Sequence, residues 1–133
     1  VVKINADTNV LLRAAVRDDL NQAKASADAL RAADLVAVSI SALCEFVWVM
    51  RRGYKLPALV VAQSIRSLIG SASVVTNRPV VEAGLEILEL GGDFADGAIA
   101  YEGSWLGAEE LVSFDEEAVS LRKSQGKPAR LLS

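Results

Sequence analysis

Residues 35–53 read LVAVSISALCEFVWVMRRG, and the order of residue types in this stretch carries the prediction of the fold. Leu35, Val36, Ala37 and Val38 form a short apolar run of the kind that becomes a buried strand. Ser39 then offers a side-chain oxygen suited to capping a helix, predicted from Ile40 to about Arg52 and ended by Gly53. A strand that hands over to a helix across one capping residue is the first half of a parallel crossover.

The same grammar extends in both directions. Upstream, Val1, Val2, Ile4 and Ala6 predict a buried first strand that stops at Asp7. A short helix follows over Thr8 to Ala15. A second starts at Asp18 or Asp19 and sets Leu20, Ala23, Ala27 and Leu30 near helical spacing up to Ala33. Downstream, Pro57 opens a helix to about Ile69 that Gly70 ends, and Val74 and Val75 form a strand. Asn77 and Pro79 begin a helix that runs to Gly91 and Gly92, and Asp93 begins another through Phe94, Ile99 and Trp105. A strand of Leu111, Val112 and Phe114 stops at Asp115, followed by a short helix and a last strand from Ala129 to Leu132. Strands separated by helices require right-handed crossovers. The predicted fold class is α/β, a three-layer α/β/α sandwich around a mostly parallel sheet. With 133 residues and no internal repeat or linker tract, the chain is expected to be one domain over residues 1–133.

Composition narrows the chemistry. At 52% hydrophobic residues the chain can bury a core without disulfides or structural metal. It contains no histidine, which excludes Ser/His and Cys/His relays and the usual His-containing zinc sites. Its one cysteine, Cys44, cannot form an intrachain disulfide. A formal charge of −3 argues against a broad basic surface, although local Arg/Lys clusters remain available for nucleic acid. Lys3 and Asp7 interrupt the opening segment too early for a signal peptide, and Glu45 breaks the longest apolar stretch. The expectation is a soluble, cytoplasmic protein without a membrane partner.

Ligands of open parallel sheets gather at the carboxyl ends of the strands. Asp7 and Asp115 each end a predicted strand and would emerge on one edge if both strands are central; alternatively, each simply caps the following helix. Glu45 is the only ionisable group between Ile40 and Met50, and Ser41, four residues earlier, shares its face and is placed to orient it. The alternatives for Glu45 are a solvent-facing stripe or pairing with Arg51, Arg52 or Lys55. In Gly91-Gly92-Asp93-Phe94-Ala95-Asp96, Asp93 reads best as a cap and Asp96 as the acid aimed at the sheet edge. Four carboxylates, Asp7, Glu45, Asp96 and Asp115, cannot all stay ionised close together without a cation. An all-oxygen donor set suits Mg²⁺ or Mn²⁺, and the chemistry such a site performs is phosphodiester hydrolysis.

These motifs, in this order, resemble the PIN domain family, and most closely the VapC-type toxins of toxin–antitoxin pairs. Asp7-Thr8-Asn9-Val10-Leu11 is similar to the family's opening aspartate motif, and Ser41-Ala42-Leu43-Cys44-Glu45 to its Ser/Thr-x-x-x-Glu helix. Asp93-Phe94-Ala95-Asp96-Gly97-Ala98-Ile99 resembles the third acidic segment, with Gly97 where alanine is usual, and Ser113-Phe114-Asp115 the late Thr-Phe-Asp. The resemblance implies a PIN-like nuclease domain, Mg²⁺- or Mn²⁺-dependent endoribonuclease activity, a homodimer and a cognate antitoxin protein that inhibits it. It implies that Asp7, Glu45 and Asp96 hold the metal, that Asp115 completes the pocket, and that Thr8, Asn9, Ser41 and Ser113 orient these acids, with Asp93 beside them. The reading that competes with an enzyme is a non-catalytic PIN-like module that binds metal or nucleic acid for regulation.

Arg13, Arg17, Arg51 and Arg52 lie just past the first two motifs and are candidates for gripping RNA phosphates. They serve equally well as partners for antitoxin acids or as solvated helix ends. Trp48 is expected in the core, although Val47 to Met50 carry more apolar surface than one buried face needs, which leaves part of the segment for a partner.

Overall fold

The computed structural model describes residues 1–133, which divide into two compact units, Val1–Asn77 and Arg78–Ser133. In the first unit, β1 (Lys3–Asn5), β2 (Leu35–Ala37) and β3 (Val74–Val75) form a parallel sheet in the order β1-β2-β3. The register pairs Ile4 with Val36 and Val36 with Val74. Helices α1 (Thr8–Ala15) and α2 (Leu20–Ala32) connect the first two strands. α3 (Ile40–Trp48), a π-helical turn (Val49–Gly53) and α4 (Ala58–Ile69) connect the second to the third. In the second unit, α5 (Arg78–Glu89) and α6 (Phe94–Trp105) precede β4 (Leu111–Ser113), α7 (Glu116–Ser124) and β5 (Ala129–Leu131). β4 and β5 pair in parallel. Every strand pairing is parallel and every crossover is helical, as the sequence predicts for an α/β fold.

Local side-chain chemistry sets the helix starts. Asp7, Asp19, Ser39, Asp93 and Asp115 each turn a side-chain oxygen onto a backbone N–H of the first turn. Each such cap contributes about 1 kcal/mol by satisfying a donor that the helix leaves open. Leu11, Leu12, Val36, Leu43, Phe46, Val47, Val61 and Ile65 are buried in the first unit, and Val80, Val81, Leu85, Leu88 and Phe94 in the second. Each removes apolar area worth about 1.5–3 kcal/mol from water.

Several expectations need correction. β1 is not a buried strand: Lys3 and Asn5 are exposed, Ile4 is half-buried, and Val1 and Val2 face solvent. Leu20 is exposed, and α2 buries fully only its small residues Ala23 and Ser26, with Ala27 and Leu30 half-buried. The helix after Ser39 keeps α geometry only to Trp48 and widens into the π-helical turn before Gly53. Phe114 lies beyond the end of β4 and is exposed.

By helix propensity alone, Gly97 would only loosen α6. A Cβ there would instead run into the Ala83 carbonyl oxygen and come within 2.9 Å of the Gly84 Cα. A Cβ on Gly84 would meet the Phe94 ring at 2.6 Å. Two glycines thus let α5 and α6 approach backbone to backbone. Gly97→Ala gains about 1 kcal/mol of helix propensity, yet it must part the helices, an overpacking cost of about 1–3 kcal/mol. The net expectation is a lower midpoint of thermal unfolding; a higher midpoint would show that the helices separate at no cost.

Candidate active site

In the first unit, Asp7 stands two residues beyond β1, where the chain turns into α1. Its Oδ1 accepts from the Val10 N–H at 3.1 Å. Asp7 therefore is a cap, but capping occupies one carboxylate oxygen and fixes the direction of the other. The next residue, Thr8, links this motif to α3. Its Oγ1 donates to Glu45 Oε2 at 3.4 Å and also lies 3.5 Å from the Ala42 carbonyl oxygen. Glu45 is exposed, and so is Ser41; Ala42, Leu43, Phe46 and Val47 are buried. Glu45 thus lies on a solvent-facing stripe, one of the alternatives its sequence context allowed, because α3 buries the opposite face. Thr8, rather than Ser41, is the hydroxyl that meets Glu45. Asn9 is exposed.

In the second unit, Asp115 stands two residues beyond β4, as Asp7 does beyond β1. Its Oδ1 accepts from the N–H groups of Glu117 and Ala118, at 2.9 and 3.3 Å. Ser113 Oγ accepts from the Asp115 N–H at 3.0 Å, which secures the turn that carries the acid. Asp93 caps α6 through Oδ1, 3.1 Å from the Ala95 N–H. Asp96 follows as the third residue of that helix and is half-buried. Burial, first, and then the charges of Asp93, Asp115 and Glu117 push its carboxyl up to about 6. No cation is among the groups acting on it. Asp93, Asp96 and Asp115 thus form one electrostatic group. Glu117, in the first turn of α7, belongs to it as well. No periodicity in the sequence could have revealed this, since it depends on how near the start of α7 comes to Asp96 in space.

A small cavity beside Asp96 is also lined by Gly97, Ala100, Leu111, Ala118 and Arg122. Burial lowers the affinity of Arg122 for its proton, and its Nε is buried without a hydrogen-bond partner. Its Nη2 reaches Ser104 Oγ at 3.4 Å.

Two of the four arginines considered for RNA are already engaged. Arg13 pairs with Asp18 at 3.2 Å, and Arg51 donates to the Leu56 carbonyl oxygen at 3.0 Å. Asp18 also accepts from the Tyr54 hydroxyl at 3.0 Å. That hydroxyl, foremost, and Arg13 hold the Asp18 carboxyl below its ordinary range. Arg17 and Arg52 are exposed.

Within neither unit do three or more acidic or thiol side chains close into a ligand cage of their own. The donors nevertheless fit a hard divalent ion. They are carboxylate oxygens, several are aimed by caps, and Asp96 is held among like charges that such an ion would offset.

The fold is that of an α/β protein with acids set just past the ends of parallel strands and no histidine anywhere in the chain. The family model for the PIN domain matches residues 4–123, and the chain belongs to the PIN domain family. PIN domains are generally nucleases that use divalent metal ions, and proteins of this family commonly bind nucleic acid. No curated protein is similar enough to be matched. No helix is long and apolar enough to cross a membrane.

Proposed function

We propose that residues 1–133 are a single nuclease domain that hydrolyses RNA phosphodiester bonds with Mg²⁺ or Mn²⁺ and acts as the cytoplasmic toxin of a toxin–antitoxin pair. The observation that carries the nuclease reading is Asp96, half-buried among Asp93, Asp115 and Glu117 with its carboxyl pushed up to about 6. Like charges gathered at a cost to folding mark Asp96 as a candidate functional group. Asp7, Glu45, Asp96 and Asp115 would hold the ion. When bound, it would orient the scissile phosphate, make a water acidic enough to attack, and offset charge in the transition state.

The protein's own groups have separate tasks in this reading. The caps of Asp7 and Asp115 leave one oxygen each for the ion, and Thr8 steadies Glu45 through its hydroxyl. Ser113 fixes the backbone at Asp115. Homodimerisation and inhibition by a cognate antitoxin rest on the likeness to VapC-type toxins.

Cleavage of RNA is expected with Mg²⁺ or Mn²⁺, to cease in EDTA and to return with excess Mn²⁺. Undiminished cleavage in EDTA would sink the metal-dependent mechanism. Expression should arrest growth, with relief by the antitoxin; unaffected growth removes the toxin role and leaves the nuclease. A purely regulatory module would bind RNA or metal and never turn over.

A further inference from the structure

Trp48 is 60% exposed, although it ends a helix whose other large apolar residues, Leu43, Phe46 and Val47, are buried. At 3.6 residues per turn, Ser41, Glu45 and Trp48 share an arc of about 60° on α3. All three are exposed, so they form one solvent-facing stripe. Side chains three apart on a helix are neighbours, which puts the indole one step along the stripe from the Glu45 carboxylate. Immediately afterwards the helix widens into the π-helical turn Val49–Gly53, which carries Arg51 and Arg52. Such turns often mark functional positions. The Tyr54 hydroxyl, bonded to Asp18, ties the segment after this turn to the segment that carries Arg17. Arg17 and Arg52 are exposed and form no salt bridge.

We propose that Trp48 is a specificity-determining residue that stacks on an unpaired nucleobase next to the phosphate held near Glu45, so that the substrate is single-stranded at the cleavage site. This inference rests on the nuclease reading. An exposed indole followed in the chain by exposed arginines is the combination that binds single strands, the ring taking a base and the cations taking phosphates. A duplex keeps its bases stacked on one another and leaves the ring without a partner. A protein partner is the weaker occupant, because apolar grooves of this unit lie elsewhere, one along Ala15, Leu59 and Val60 and another along Leu30, Val36 and Leu68, whereas the helical neighbours of Trp48 along its stripe are Ser41 and Glu45.

The test uses Trp105→Phe, a change at an exposed position that leaves Trp48 as the only tryptophan. In EDTA, a single-stranded oligoribonucleotide should quench its emission, and the same sequence in a duplex should not. In the wild-type chain, Trp48→Ala should weaken single-strand binding and raise KM by about ten- to a hundredfold, with kcat little changed; Trp48→Phe should retain most of the affinity. An abasic nucleotide at the stacked position should reproduce the loss in the wild type and add nothing in Trp48→Ala.

If Trp48→Ala binds and cleaves like the wild type while Mg²⁺-dependent cleavage is intact, the stacking role is refuted and the nuclease reading survives. If quenching and the Trp48→Ala loss are seen but no metal-dependent cleavage occurs, the nuclease reading fails and the single-strand site stands. A Trp48→Ala variant that changes oligomeric mass and leaves RNA affinity untouched would assign the indole to a second copy of the chain and overturn the proposal.

Discussion

Asp96→Asn is expected to stabilise the metal-free protein near pH 7.5 and to abolish its nuclease activity. The Asp96 carboxyl, pushed up from 3.8 to about 6, releases its proton less readily in the folded chain than in the unfolded one. The group's favourable contribution is therefore complete below about pH 4 and is lost as pH rises through about 6. The shift corresponds to about 3 kcal/mol at 1.36 kcal/mol per unit. Asp96 is only half-buried, and solvent screening reduces this to about 1–2 kcal/mol.

Asparagine keeps the shape and removes the charge, so at pH 7.5 the variant should unfold about 3–6 °C higher than the wild type. The two should converge near pH 4, where the wild-type carboxyl is also neutral. Other acids titrate in this range, but they are common to both proteins and cancel in the difference. A gap of the same size at pH 4 and pH 7.5 would mean that the substitution acts through packing. Millimolar Mg²⁺ should narrow or reverse the gap at pH 7.5, because a ligand that binds only the native wild type stabilises only the wild type.

Asp7→Asn carries the largest expected loss of activity with almost no change in stability. Asparagine caps helices as well as aspartate does, and its side-chain oxygen can still accept from the Val10 N–H. The midpoint of unfolding should therefore move by no more than the equivalent of about 0.5 kcal/mol. Removing a charged ligand from a hydrolytic metal site forfeits several kcal/mol of transition-state stabilisation. At 1.36 kcal/mol per factor of ten, cleavage should fall about a thousandfold or more. The fall should appear in kcat, since the interaction strengthens as charge develops on the phosphate. Cleavage within tenfold of the wild type would remove Asp7 from the site, and a large drop in stability would make the loss of activity uninformative. Asp7→Asn and Asp96→Asn together separate the two functions of these carboxylates, since one spares folding and the other favours it.

The element order was legible because the signals that start and stop helices are local. Asp7, Ser39, Asp93 and Asp115 bond to N–H groups two or three residues ahead, so the residues alone predict the start of each helix. Pro57 and Gly70 bracket α4 for equally local reasons: a fixed φ before the helix and a residue without a side chain after it. The family was legible too, since the types and spacing of the candidate acids resemble one that a match over residues 4–123 bears out. Faces were harder to read. Trp48 was expected in the core and Glu45 stood open between a functional acid, a solvent-facing stripe and an ion pair, because α3 is apolar nearly all round, and only the packing of neighbouring elements decides which side of such a helix remains in water.

By itself, therefore, the sequence determined the alternation of strands and helices, the capping residues and a chemistry without histidine, all of which depend on residue type and short spacing. The tertiary structure alone decided that Thr8 meets Glu45, that Gly97 seats α6 against Gly84, that Trp48 faces solvent, and that Asp96 keeps its proton to about pH 6. Each of these depends on burial and on distances across space that no short stretch of sequence sets, where desolvation and the summed field of neighbouring charges outweigh any local preference.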